Sequence, residues 1–281
     1  MKIIECPRDA MQGIREFIPT ALKAKYINQL LKVGFDTIDF GSFVSPKAIP
    51  QMRDTAEVLG KLDLENTSSK LLAIIANTRG AEDAAQFEQI DYLGFPLSVS
   101  ETFQQRNTNK SVAEAMQQLA RIQEICQKSG KTLVTYISMG FGNPYNDPWD
   151  VDTVIGFVQE LDKLQVKIVS LSDTIGVATP ANITYLFSHL IPAFEHIEFG
   201  AHLHTTPATW QEKVAAAYEA GCRRFDGALR GYGGCPMAKD ELVGNMATEN
   251  LVGFFENKGV NLSLNKPALQ VAMAESGAVF L

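Results

Sequence analysis

The sequence predicts a single-domain α/β fold, an eight-stranded (β/α)8 TIM barrel. Strand-like and helix-like runs alternate eight times along the chain, and such alternation calls for parallel strands joined by right-handed helical crossovers. Eight units is the number that closes a barrel. The 281 residues are 46% hydrophobic and 20% charged with no break in composition, so one large core can form without a linker. A doubly wound open sheet is the alternative, weakened because no Gly-x-Gly-x-x-Gly follows the first strand.

Each unit has a local reason. Lys2 to Cys6 is a β-prone run stopped by Pro7, and Ile18 to Val33 carries apolar residues at helical spacing up to a capping Gly34. Thr37 to Phe40 reads as the second strand, with its helix within Lys47 to Leu62. Leu71 to Ala76 and Ala81 to Phe87 form the third unit, and Ile90 to Pro96 and Ser111 to Lys128 the fourth. Thr132 to Ser138 is the fifth strand, followed by a turn-rich loop and a helix over Asp152 to Leu164. Lys167 to Ser172 with Ala181 to Leu190, and His196 to His202 with Pro207 to Ala220, give two more units before the eighth strand, Arg224 to Leu229. The barrel therefore spans about 1–230, with a loop and C-terminal helices over about 231–281. The segment from Asn250 onward is placed to cap the barrel or to form the interface of a homodimer.

A net charge of −7 with scattered basic residues argues against nucleic acid and anionic membranes as partners. No apolar run approaches the ~18 residues of a membrane helix. Because Met1-Lys2-Ile3-Ile4-Glu5 passes directly into a strand, no leader is expected and the protein is expected in the cytoplasm. Cys6, Cys126, Cys222 and Cys235 have no C-x-x-C spacing and are expected as reduced thiols.

Barrel chemistry sits on the loops after the strands, and there the residues are polar and convergent. They are Arg8 and Asp9, then Asp39 and Ser42, Ser98 and Glu101, Tyr136 and Ser138, Ser170, Ser172 and Asp173, His202 and His204, and Asp226 with Arg230. In His202-Leu203-His204 the strand period of two points both imidazoles the same way. Two imidazoles and a carboxylate such as Asp9 suit Mg²⁺, Mn²⁺, Zn²⁺ or Fe²⁺. Arg8 beside them supplies a fixed positive charge where an oxyanion can develop.

Six segments together resemble the 3-hydroxy-3-methylglutaryl-CoA (HMG-CoA) lyase family. They are Pro7-Arg8-Asp9-Ala10-Met11-Gln12, Ser42 to Lys47 with Pro50-Gln51-Met52, Ser172 to Gly176, His202-Leu203-His204, Gly233-Gly234-Cys235-Pro236 and Gly244 to Glu249, in the family's order. The resemblance implies a TIM-barrel lyase that cleaves HMG-CoA into acetyl-CoA and acetoacetate. It implies a divalent cation, Mg²⁺ or Mn²⁺ with Zn²⁺ as a further option, on Asp9, His202, His204 and Asn245. It assigns Arg8 to the developing enolate and Cys235 to a mobile loop that completes the site. Asp39, Asp173 and a metal-bound histidine are the candidate bases, and Arg8, Ser42, Tyr136 and Ser170 the expected contacts of an acyl-CoA substrate. The chain departs from the family at Asp39, usually glutamate, at Thr205, usually an acid, and at Cys6, Ala10 and Met11. Alternatives are a lyase for another 3-hydroxyacyl-CoA, a condensing enzyme of the citramalate type, or an inert acyl-CoA- or metal-binding protein.

Overall fold

The computed structural model describes residues 1–234 and 243–280. In chain order the elements are β1 (Lys2–Glu5), α1 (Pro7–Gln12), α2 (Thr20–Leu31), β2 (Thr37–Ser42), α3 (Thr55–Leu59), β3 (Lys70–Ile74), α4 (Thr78–Ala85), β4 (Tyr92–Ser98), α5 (Glu101–Thr108), α6 (Val112–Ser129), β5 (Thr132–Ser138), α7 (Val151–Lys163), β6 (Ile168–Asp173), α8 (Pro180–Ala193), β7 (Glu198–Leu203), α9 (Trp210–Glu219), β8 (Arg224–Gly227), α10 (Thr248–Asn257) and α11 (Lys266–Phe280). The strands pair in parallel and in sequence order, and β8 closes onto β1 from Lys2↔Arg224 to Glu5↔Gly227. The predicted (β/α)8 barrel is the observed fold.

Two short helices stand where loops were expected. Pro7 starts α1 because its fixed φ suits the first helical position, and Ser100 starts α5 by accepting a hydrogen bond from Phe103 N at 3.1 Å. The helix expected within Lys47 to Leu62 is α3, which is short and is preceded by a 3-10 turn at Pro50–Met52, since Pro50 cannot continue a preceding helix. The longest helix is well specified at both ends. Ser111 and Glu114 form a capping box at the start of α6, and Gly130 closes it in the left-handed conformation.

The core is divided by the barrel wall. One cluster fills the space between strands and helices, while Leu72, Tyr92, Val134, Tyr136 and Ile168, with Ile74, plug the barrel interior. Gly94 makes that plug fit, because a Cβ there would lie 2.5 Å from Ile74 Cδ1 and 3.2 Å from the Tyr136 ring. The plug is the floor on which the site rests. The C-terminal helices lie against the outside, with Phe280 of α11 edge-on to Tyr26 of α2 at 5.7 Å and stacked on Tyr232 at 4.7 Å. Among the described residues no helix is long and apolar enough to cross a membrane.

Glu5 ties the barrel closure to the C-terminal segment. Its carboxyl, fully buried, receives Leu229 N at 2.9 Å and Thr248 Oγ1 at 2.5 Å. Burial pushes its pKa up to about 8, against the two hydrogen bonds that lower it. The folded chain therefore keeps this proton where the unfolded chain has lost it, so its contribution to stability is full below the ordinary glutamate pKa and falls as pH rises toward 8. Glu5→Gln, which cannot ionise, should melt at progressively higher temperature than the parent as pH is raised from 5 to 8, with the difference growing by up to about 1.4 kcal/mol per pH unit. Parallel melting curves across that range would contradict the assignment.

Candidate active site

A cavity of about 390 Å³ opens at the C-terminal mouth of the barrel. Arg8, Asp9, Ser42, Tyr136, His202 and His204 line it, together with Ser138, Ser172 and Thr174. Val44, Ile49, Ile74, Ala76 and Pro96 give it an apolar wall on the β2 to β4 side. Helix α5 adds Arg106, Asn107 and Thr108.

Helix α1 delivers two adjacent charges. Arg8 grips Asp39 through Nε at 3.0 Å and Nη2 at 2.5 Å, and its Nη1 donates to Asp9 Oδ1 at 2.9 Å. All three side chains are over nine-tenths buried. Burial opposes charge on Arg8, but Asp39 and Asp9 more than offset it and hold the guanidinium firmly protonated. Burial pushes Asp39 up to about 6 in spite of Arg8, so the fork-shaped bridge is what keeps it ionised at neutral pH. Asp9 stays below the usual carboxylate range: burial would raise it, and Arg8, the two imidazoles and Asn245 lower it.

The imidazoles do share a face, with ring centroids 5.4 Å apart. A ligand atom from each of Asp9, His202 and His204 lies within 4.8 Å of the others. Behind His202, Nδ1 meets Asp226 Oδ2 at 3.1 Å, which orients the ring and leaves Nε2 to the cavity. Burial works against charge on His202, and the Asp226 hydrogen bond reverses this and raises its pKa. His204 is pushed down to about 4 by burial and by its neighbour His202, so it is a neutral imidazole, and its buried Nδ1 has no hydrogen-bond partner among the described residues.

Asn245 reaches this group through backbone pairing. Thr205 N donates to Gly244 O at 3.0 Å and Met246 N to Leu203 O at 3.1 Å, an antiparallel bridge that sets Asn245 opposite His204. The threonine at 205 takes part through its backbone and through its hydroxyl, which donates to Met246 Sδ at 4.0 Å. Asn245 Nδ2 donates to Asp9 Oδ2 at 2.7 Å and to Tyr232 O at 2.9 Å. Both partners are acceptors, so the amide orientation is fixed and Oδ1, which accepts no hydrogen bond among the described residues, is left for a cation. Gly233 presses against the same group, since at φ +89 a Cβ would lie 2.8 Å from Asn245 Nδ2 and 2.8 Å from Asp9 O. One carboxylate, two imidazoles and a free amide oxygen fit a divalent cation. A second cluster, Cys6, His202 and Asp226, fits less well, because burial and nearby acids keep the Cys6 thiol protonated and Asp226 is engaged by His202.

Three expected contacts fall elsewhere. Ser170 is fully buried below the cavity, near Gly200 and Arg224, so it does not line the site as a substrate-binding residue would. Asp39 lies behind Arg8, and Asp173 is turned away, with Oδ2 on Lys213 at 2.7 Å and Oδ1 receiving Ala178 N at 2.9 Å. Cys235 lies outside the described residues. The sequence places Asp226 at a strand end but gives no role to it or to Gln12, which donates to Asp9 Oδ1 at 2.7 Å. The α5 residues were hidden with their helix.

A closed parallel barrel with charged and imidazole side chains gathered at its C-terminal mouth defines a barrel enzyme whose chemistry is carried by the loops after its strands. Residues 2–274 match the HMGL-like family model, and the chain belongs to that family of oxo-acid lyases. It is 34% identical over 262 residues to the hydroxymethylglutaryl-CoA lyase of Bacillus subtilis, covering 92% of this chain and 87% of that one. It is 29% identical over 275 residues to the (R)-citramalyl-CoA lyase of Chloroflexus aurantiacus, covering 95% and 86%. The structure of an HMG-CoA lyase from A. baumannii in complex with coenzyme A and 3-methylmalate superposes with a TM-score of 0.91 at 32% identity, covering 100% of this chain and 91% of that one.

The His202–Asp226 contact can be tested alone. Asp226→Asn should leave the barrel folded and weaken Mn²⁺ binding about 10- to 100-fold, the usual cost of losing a carboxylate behind a histidine ligand. Titration of the metal-free variant followed by Mn²⁺ electron paramagnetic resonance measures it, and unchanged affinity would show that Asp226 does not orient a ligand.

Proposed function

We propose that the protein is a divalent-metal-dependent carbon-carbon lyase that cleaves HMG-CoA into acetyl-CoA and acetoacetate. The observation that carries this reading is the cluster of Asp9, His202 and His204, a ligand atom of each within 4.8 Å of the others, with the Asn245 amide held beside it by Asp9 and Tyr232. A cation held there, Mg²⁺ or Mn²⁺ with Zn²⁺ as a further option, would supply Lewis acidity toward the substrate's tertiary hydroxyl and a carboxylate oxygen.

The rest falls to the chain's own residues. Loss of the hydroxyl proton lets the C–C bond break, its electron pair passes to the carbon next to the thioester, and acetoacetate departs. Asp39 and Asp173 are committed to Arg8 and Lys213, so the basic groups on the cavity wall are Asp9, His202 and His204. Arg8 spends three of its five N–H groups on Asp39 and Asp9, leaving one on each terminal nitrogen for the thioester oxygen as it becomes an enolate. Cys235 is the proposed donor of the proton that completes acetyl-CoA. Ser42 and Tyr136 also line the cavity and would contact the acyl group there.

A second reading, cleavage of a different 3-hydroxyacyl-CoA such as citramalyl-CoA, is favoured by the comparable identity to the Chloroflexus lyase. Incubation of the protein with each thioester, with Mg²⁺ or Mn²⁺ and with chelator, decides between them by product analysis. Acetoacetate and acetyl-CoA from HMG-CoA, lost on chelation, are the expected result; turnover of citramalyl-CoA alone would replace the first reading by the second. Arg8→Met should lower kcat about 10²-fold or more with a smaller change in KM, because its charge acts on the enolate more than on the bound thioester. An effect confined to KM would reduce Arg8 to a binding residue.

A further inference from the structure

Lys213 is a lysine buried in α9, with 2% of its side chain exposed, and it does not line the cavity. Its ammonium donates to Asp173 Oδ2 at 2.7 Å, to Gly176 O at 2.9 Å and to His204 O at 3.1 Å. Three donors meet three acceptors, so the group is saturated. The acceptors come from two neighbouring units of the barrel. Asp173 ends β6 and Gly176 lies in the loop after it, while His204 follows β7.

We propose that Lys213 is a positioning residue of the cation site, a three-way internal cross-link that fixes the main chain of His204 against the loop following β6. The proposal rests on the reading of His204 as a cation ligand. An interior ion pair alone would say little, since a lysine and an aspartate withdrawn from water often contribute no more than two apolar side chains of equal volume. What sets this pair apart is the third bond, to the backbone of a candidate ligand. The loop it anchors also reaches the site, since Thr174 lines the cavity and its hydroxyl receives Met139 N at 2.8 Å. Asp173 is held in turn by Ala178 N at 2.9 Å, so the cross-link ends on fixed backbone at each of its three feet. A ligand set on rigid elements keeps its geometry only if the elements keep theirs, and a shift of about 1 Å in one ligand is enough to degrade a site.

The test compares Mn²⁺ affinity of metal-free protein, read by electron paramagnetic resonance, with kcat and KM. Lys213→Met alone would strand a buried carboxylate, so the main variant is Lys213→Met with Asp173→Asn, which removes both charges together. It should fold, bind Mn²⁺ at least tenfold more weakly, and lose kcat with a smaller change in KM. Lys213→Arg, which keeps the charge but spreads its donors in a rigid plane, is the second variant and should bind Mn²⁺ at least threefold more weakly. Mn²⁺ affinity within twofold of the parent, in whichever variant folds, overturns the role of Lys213 while leaving the cation reading intact. A parent protein that binds no Mn²⁺ overturns the cation reading and this proposal with it.

Discussion

One buried guanidinium sets the charge balance of the whole barrel mouth. Arg8 stands between Asp9 and Asp39, and without it two carboxylates would share a site from which water is largely removed. Its presence lets Asp9 remain ionised, and an ionised Asp9 beside neutral His204 and the free oxygen of Asn245 is what makes the group attractive to a hard cation. The shorter carboxylate at Asp39 is absorbed by this arrangement. Two nitrogens of Arg8 still donate to it, so the substitution alters the support behind the guanidinium and leaves the cavity face of Arg8 in place.

A second constraint works through the backbone. Asn245 is distant in sequence from every other member of the group, and it arrives because residues 244–246 pair with the end of β7 on one side while Ala228 N bonds Met246 O at 2.9 Å on the other. Glu5, under the same turn, holds Leu229 and Thr248. Barrel closure and site geometry thus share the same residues, since β8 and the segment that follows it bring both Asp226 and Asn245 to the imidazoles.

Much of this was legible in the sequence, and the failures have physical causes. The fifth strand, Thr132–Ser138, and the shared face of His202 and His204 follow from a period of two that closure does not disturb. Period gives a face but no height along the barrel axis. Ser170 and Ser172 point the same way, yet only Ser172 reaches the cavity, and the Asp226–His202 pair depends on a strand register that no local pattern encodes. Helices α1 and α5, of six and eight residues, are too short for a hydrophobic stripe, although Ser100 as a cap was a usable signal for α5. Asn245 came into view through resemblance to a family alone, and Lys213 through neither route, because a lysine in an amphipathic helix reads as solvent-facing until its neighbours are known.

Asp9, His202, His204 and Asn245 are the proposed ligands of one cation site. Electron spin echo spectroscopy of the Mn²⁺-loaded protein tests it directly through the nitrogen couplings of the bound ion. The account predicts one Mn²⁺ per chain coupled to two imidazole nitrogens, with one coupling lost in His202→Ala and the other in His204→Ala. A bound ion without imidazole coupling, or couplings that survive both substitutions, would contradict it.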